Sequence, residues 1–331
     1  MCAPNYAPTS EPIFFLGMNV VTFVVTSVVV CTSTITIISV HLAKKIAWNI
    51  KLKRDKRNKK EKKKTLEDPD KNYALPLIEK INVNHNTRRF RFGLPSKDHY
   101  LGCPPGQHVY LSAEVNGELV LRPYTPISSD DDLGYTELMV KIYPSGEDAK
   151  FPKGGKLSQY LDRLKIGDKI NFRGPHGLIV YEGDGKLAIR SDESSAPKVH
   201  TFKHFSMIAG GTGITPMLQI ITAIMKNPED RTTISLLFAN RTENDILHRE
   251  ELDKLDEKFP NRFERWYTVD RPPANWTFSS GFVDETMIKE HLAPPADDAC
   301  ILMCGPPAMI SPALISDLRN MGYDSQEIFK F

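Results

Sequence analysis

Gly210-Gly211-Thr212-Gly213-Ile214-Thr215-Pro216 is the stretch from which the fold of this chain is read. The apolar run Phe205-Ser206-Met207-Ile208-Ala209 leads into it, and a helical pattern from Met217 to Met225 follows. Strand, glycine turn and helix together aim backbone N–H groups and a positive helix end at a phosphate. Missing Cβ atoms would let a nucleotide approach the main chain. The spacing departs from the dinucleotide fingerprint G-x-G-x-x-G, because threonine and proline stand where that turn would continue. A tight structural turn is the plainer alternative.

Toward the C-terminus the pattern alternates. Strands are predicted at Phe205–Ala209, Thr233–Ala239, Phe263–Val269 and Ala299–Met303. Helices are predicted near Pro216–Lys226, Asn244–Lys258, Asp284–His291 and Ala308–Asn320. Such alternation implies an α/β domain with a parallel sheet and ligands at the carboxyl ends of its strands. Asp270 falls at one such end, where it would take ribose hydroxyls or simply cap a turn. Cys304 meets the turn Gly305-Pro306-Pro307 at another, as a functional thiol or a small buried hydrophobe.

Toward the N-terminus, from about Tyr73 to Gly177, short alternating segments predict an antiparallel β-barrel with one short helix near Leu157–Leu161. Two segments there suit a dinucleotide. In Arg122-Pro123-Tyr124-Thr125-Pro126 the guanidinium matches a pyrophosphate, the tyrosine ring a flat heterocycle, and the threonine hydroxyl a ring nitrogen. Gly154-Gly155-Lys156-Leu157-Ser158 opens a helix and so forms an anion site. Taken singly, these are equally a strand-edge arginine and a capped helix. Asp184-Gly185 predicts a hairpin turn, and the polar run 191–197 reads as the connection between domains.

The front of the chain is different. No Lys, Arg, Asp or Glu occurs between Glu11 and Lys44, and residues 13–43 are rich in Val, Ile and Phe. That length suits a transmembrane helix. A cleaved signal peptide is the alternative, but residues 1–12 lack its positive n-region. Residues 44–64 hold twelve Lys/Arg against two acids, which predicts that the large C-terminal part faces the cytosol. With +2 for the whole chain and Glu11 alone before this run, residues 65–331 carry −7. A nucleic-acid-binding domain is not expected. The five cysteines are scattered, which argues against a disulfide framework or zinc site; no metal is expected. Two sequons, Asn240-Arg241-Thr242 and Asn275-Trp276-Thr277, offer a topology test.

Taken together, the motifs resemble the NADH–cytochrome b5 reductases, within the ferredoxin-reductase-like flavoenzymes. The resemblance runs from about Tyr73 to Phe331 and includes Ile328-Phe329-Lys330-Phe331. It implies an FAD-binding barrel over 72–178, a linker and hairpin over 179–203 and an NADH domain over 204–331, preceded by the segment 1–43 and a basic linker over 44–71. On the flavin side it implies Arg122, Pro123, Tyr124, Thr125, Met139, Lys141, Phe151, Gly155, Lys156, Leu157, Ser158 and Thr215. On the NADH side it implies Gly210, Gly211, Thr212, Gly213, Thr215, Pro216, Asp270, Cys304, Gly305, Pro306 and Phe331. Thr125, His108, Cys304 and Lys141 are the implied catalytic set: His108 behind Thr125 in a proton path, Lys141 supporting NADH, and Cys304 orienting the nicotinamide.

The implied activity is hydride transfer from NADH to FAD and single-electron transfer to cytochrome b5, or to a similar haem protein, by a monomer. The implied place is the endoplasmic reticulum or mitochondrial outer membrane. A quinone-directed reductase and a membrane-tethered NAD(H) sensor without turnover are the alternatives. Two departures stand out. Cys2 replaces the family's myristoylated glycine. The loop Arg190-Ser191-Asp192-Glu193-Ser194-Ser195 lacks the lysines credited with docking acidic cytochrome b5, so electrostatic steering is expected to be weak.

Overall fold

The computed structural model describes residues 62–147 and 152–331. The expected membrane span, most of the basic run and Phe151 lie outside the described residues. Among the described residues, no helix is long and apolar enough to cross a membrane.

The antiparallel half runs β1 (Lys63–Lys64), β2 (Tyr73–Asn82), β3 (Thr87–Gly93), β4 (His99–Tyr100), β5 (His108–Val115), β6 (Glu118–Tyr124), β7 (Tyr135–Lys141), α1 (Lys156–Arg163) and β8 (Lys169–His176). Six of these strands form one sheet in the order β6-β5-β8-β2-β3-β7. The sheet curls until its edges meet, since the segment leaving β6 bridges Pro126 to Leu138 of β7. Alternation puts Leu77, Phe90, Phe92, Leu111, Leu138 and Phe172 inside, all fully buried. Each contributes about 1.5–3 kcal/mol by burial, which fixes the register that aims β6 outward at its end.

The stretch expected as a linker and hairpin is a sheet of its own. β9 (Ile179–Gly183), β10 (Lys186–Ile189) and β11 (Lys198–Thr201) pair in the order β11-β10-β9. Asp184 and Gly185 both have positive φ, 52° and 73°, and make the expected tight turn.

The parallel half runs β12 (His204–Gly210), α2 (Ile214–Lys226), β13 (Thr233–Asn240), α3 (Arg249–Lys258), β14 (Phe263–Val269), β15 (Ser279–Ser280), α4 (Glu285–His291), β16 (Ala299–Cys304), α5 (Pro312–Asn320) and β17 (Ile328–Lys330). Its order is β15-β14-β13-β12-β16-β17, and every pairing is parallel. The chain builds outward from β12 through β15, then returns to lay β16 on the other side. That reversal opens a crevice at the carboxyl ends of β12 and β16.

Two helices are shorter than predicted. The segment 244–258 begins with a 3-10 turn, Glu243–Asp245, closed by reciprocal bonds between Thr242 and Asp245. His248 then takes φ 54°, which breaks the helical path before α3. The segment 308–320 becomes helical only at Pro312, where proline suits the first turn and Ser311 Oγ accepts the Leu314 N–H. The halves meet through Ile127 and Met139, which pack into the core of the parallel half. The Gly106 N–H also donates to Gln219 Oε1 at 3.0 Å.

Candidate functional site

The glycines of the opening stretch do different jobs. Gly211 has φ +54°, and a Cβ there would meet nothing within 4 Å, so this residue faces open space. A Cβ on Gly213 would lie 2.2 Å from the Cys304 carbonyl oxygen, and one on Gly210 would lie 2.5 Å from Met309 Sδ. Those two glycines let the loops after β12 and β16 press together. The idea that the whole run is bare for a nucleotide is thereby corrected to one residue. The turn Gly211–Gly213 is a 3-10 turn that runs into α2. Thr215 is buried and its hydroxyl donates to the Thr212 carbonyl at 3.1 Å, so that group is committed to the turn. Pro216 is buried in the first turn of α2, where its missing N–H costs no helical bond.

At the end of β16, Cys304 is partly buried and burial pushes its thiol up to about 11. It is a neutral thiol near pH 7, unsuited to nucleophilic attack. Gly305 and Pro306 follow it, and the Pro306 carbonyl accepts the Met309 and Ile310 N–H groups. The Phe331 N–H donates to the Met303 carbonyl at 3.0 Å, which seats Phe331 beside Cys304. Asp270 lies just past β14, exposed, and its carboxylate forms no ion pair among the described residues. Its N–H donates to the Asn240 carbonyl at 3.1 Å.

Asn240 is a residue the sequence reading met only as a sequon. It closes β13, is 7% exposed, and neither Nδ2 nor Oδ1 has a partner. An unsatisfied buried amide costs about 1–3 kcal/mol. A polar residue ending an apolar strand at the carboxyl edge of a parallel sheet was the available signal.

In the antiparallel half, Arg122, Pro123 and Tyr124 close β6. The Arg122 guanidinium is exposed, donates to the Leu121 carbonyl at 2.7 Å, and has no acidic partner among the described residues. Tyr124 packs on the barrel core, and burial pushes its phenol up to about 12, opposed by the nearby Arg122 charge. The pairing of Val109 with Tyr124 puts Thr125, one residue on, opposite His108.

At the start of α1, Ser158 Oγ donates to the Gly155 carbonyl and accepts the Tyr143 N–H, while Leu157 is buried in the barrel core. Lys156 is paired with Glu118. What this helix start leaves for an anion is its first-turn N–H groups, at Lys156, Leu157 and Ser158.

Met139 is buried between the halves, so its side chain serves that contact. Lys141 Nζ lies 3.6 Å from Asp245 of the parallel half, and His85 Nε2 lies 3.8 Å from the same carboxylate. Burial would raise Asp245, but the Thr242 hydroxyl, Lys141 and His85 outweigh it and hold the carboxyl low. β7 also packs against the Gly211–Gly213 turn.

Comparison with known proteins places this geometry. Residues 74–181 match the oxidoreductase FAD-binding domain family, and residues 207–313 match the oxidoreductase NAD-binding domain family. NADH-cytochrome b5 reductase 2 of Danio rerio is 56% identical over 268 residues, covering 81% of this chain and 87% of that protein. NADH-cytochrome b5 reductase 3 of Rattus norvegicus is 55% identical over 267 residues, covering 81% and 89%. The crystal structure of the cytochrome b5 reductase domain of Ulva prolifera nitrate reductase superposes with a TM-score of 0.75 at 40% identity, covering 80% of this chain and 99% of that one. With an FAD-binding half, an NAD-binding half and this identity across both, the chain belongs to the NADH–cytochrome b5 reductase family of oxidoreductases.

Proposed function

We propose that the chain is a membrane-anchored, monomeric flavoenzyme that oxidises NADH and passes the electrons singly to cytochrome b5. The observation that carries the reading is that each half offers an anion-suited site. One is the exposed Arg122 and the bare first turn of α1; the other is the open face of Gly211. The residues fit the two groups. Arg122 has no acid to surrender, and the first-turn N–H groups of α1 want an acceptor. The orphaned amide of Asn240 wants a polar ligand on the NADH side.

When bound, FAD supplies a hydride acceptor that can release electrons one at a time. The residues supply the rest. Arg122 and the start of α1 hold the pyrophosphate, and Tyr124 packs on the flavin ring. Thr125 donates or accepts near the reactive flavin nitrogen. Gly211 lets the NADH phosphates reach the main chain, and Asp270 takes ribose hydroxyls while repelling a 2′-phosphate. Cys304, neutral and half-buried, orients the nicotinamide by contact. Lys141, 3.6 Å from Asp245, supports NADH once it leaves that carboxylate. The buried wall of Met139 and Ile127 keeps water from the contact between the halves.

NADH is expected to bleach the flavin band far faster than NADPH, and Asp270→Ala to narrow that ratio on the order of tenfold. An unchanged ratio would remove Asp270 from the ribose site. Stopped-flow reoxidation by cytochrome b5, a quinone and ferricyanide then ranks the acceptors; a faster quinone makes this a quinone reductase.

The apolar span 13–43 and the basic run after it support a single-pass anchor with the catalytic part in the cytosol, at the endoplasmic reticulum or mitochondrial outer membrane. Asn240 is too buried to report on topology, but Asn275 is exposed, so sugar on Asn275 would place this part in the lumen.

A further inference from the structure

Four polar residues stand in one row that ends at solvent. β6, β5 and β8 are neighbours in the sheet. His108 of β5 is the register partner of His176 of β8, and Thr125 continues the β6 register opposite His108. Opposed residues in a ladder point to the same face. The two imidazole rings are 6.5 Å apart, and Tyr110 stands beside both, at 5.2 Å from His108 and 5.1 Å from His176. His108 Nε2 and His176 Nε2 are both buried without a partner. His176 Nδ1 lies 3.5 Å from a carboxylate oxygen of Glu193, whose side chain is 69% exposed. The Glu193 end of the row is thus wet.

The chemistry of the proposed reaction needs an outlet. One NADH and two one-electron acceptors give NAD⁺, two reduced acceptors and one proton. A haem acceptor takes electrons only, so the proton must leave the cleft. We propose that His176 and Glu193 are the outlet, receiving the proton from Thr125 and His108 across one intervening water and delivering it to solvent. This rests on the proposed NADH oxidation and extends it to two residues outside the flavin and NADH sets. His176 is a positioning and relay residue, acting through His108 and Glu193.

The surrounding charges agree with that direction. Glu193 faces the pair, and Arg173 of β8 lies over the Tyr110 ring at 5.6 Å. Burial first, and His176 second, lower the affinity of His108 for a proton, with Glu193 opposing. A proton on His108 is therefore passed on rather than held, and the carboxylate at the open end draws it outward.

The test uses the 331-residue chain loaded with FAD in detergent, with His176→Gln and Glu193→Gln. The NMR chemical shifts of the His176 ring at one fixed pH read the contact without turnover. Glu193→Gln, at an exposed position, is expected to move those shifts, because the carboxylate lies 3.5 Å from His176 Nδ1. Anaerobic reduction by NADH is expected to keep its rate in both variants. Reoxidation by ferricyanide is expected to slow about three- to tenfold in His176→Gln, with a larger solvent isotope effect. Unaltered reoxidation and isotope effect in both variants, or His176 ring shifts indifferent to Glu193, would overturn the proposal. A parent protein that NADH cannot reduce would instead sink the proposed function.

Discussion

Gly211 and Gly213 are two residues apart, yet alanine at each is expected to fail differently. At Gly213 the new Cβ would sit 2.2 Å from the Cys304 carbonyl, so β16 or α2 must shift. Overpacking of this kind costs about 1–3 kcal/mol or more, and thermal unfolding should register a clear loss. At Gly211 there is space, and the cost is the left-handed φ alone, about 1–2 kcal/mol. Its Cβ would point where a phosphate is proposed to lie, so the Michaelis constant for NADH should rise more than stability falls. Equal effects on both readouts at both positions would show that Gly211 is packed, not open. The sequence could mark these glycines because strand, turn and helix are local patterns. Which of them faced a ligand was illegible, because that depends on Cys304 and Met309, about 90 residues away. Asn240 was hidden for the same reason: its burial without partners is a tertiary fact.

Among the elements, the longest and most periodic were the easiest to read. β12, β13 and β16 are largely buried apolar runs, β14 is buried at its carboxyl end, and α2 carries an apolar pattern along most of its length. The three-stranded sheet β9-β10-β11 was missed outside its turn, because β10 and β11 are four residues each and a polar run separates them. That sheet is tied to the parallel half by one buried group. Tyr181 donates to Asp230, and Thr232 donates to the same carboxylate through both its hydroxyl and its N–H. Burial alone would raise Asp230, but these bonds, with the Asp184 N–H, keep it below the ordinary carboxylate value. Tyr181→Phe removes one donor from a buried acceptor and is expected to cost about 1–3 kcal/mol in urea unfolding. The low carboxyl value means Asp230 stabilises above about pH 4 and loses that contribution as the pH falls through its folded value. The cost of Tyr181→Phe should therefore shrink in acid. No cost at neutral pH would mean the phenol is not needed to satisfy Asp230.

For the whole molecule, charge has two levels. Over residues 65–331 the net charge of −7, with Asp192 and Glu193 exposed in the loop before β11, gives little attraction for an acidic acceptor. Within the fold, one carboxylate joins the halves. Asp245 closes the 3-10 turn with Thr242 and faces Lys141 and His85 of the barrel. Its folded affinity for protons is lowered, so its contribution is present above its unfolded value of about 4 and disappears as the pH falls through the lower folded value. Asp245→Asn keeps the shape, loses the charge and weakens the cap. At pH 7 it is expected to destabilise by about 1–2 kcal/mol, the usual worth of such a cap and its charge-assisted bonds. Below about pH 4 the gap between variant and parent should begin to narrow, and it should close as the pH falls through the lower folded value, where the parent carboxyl is protonated too. Thermal unfolding measured between pH 3 and pH 8 follows both limbs. A gap that stays constant across that range would mean that shape, not charge, makes Asp245 the tie between barrel and parallel sheet. Freeing Lys141 adds a second signature: if the ammonium is shared between Asp245 and NADH, the variant binds NADH more tightly while being less stable. Stability lost together with NADH affinity would instead mean that Asp245 holds Lys141 in its working position.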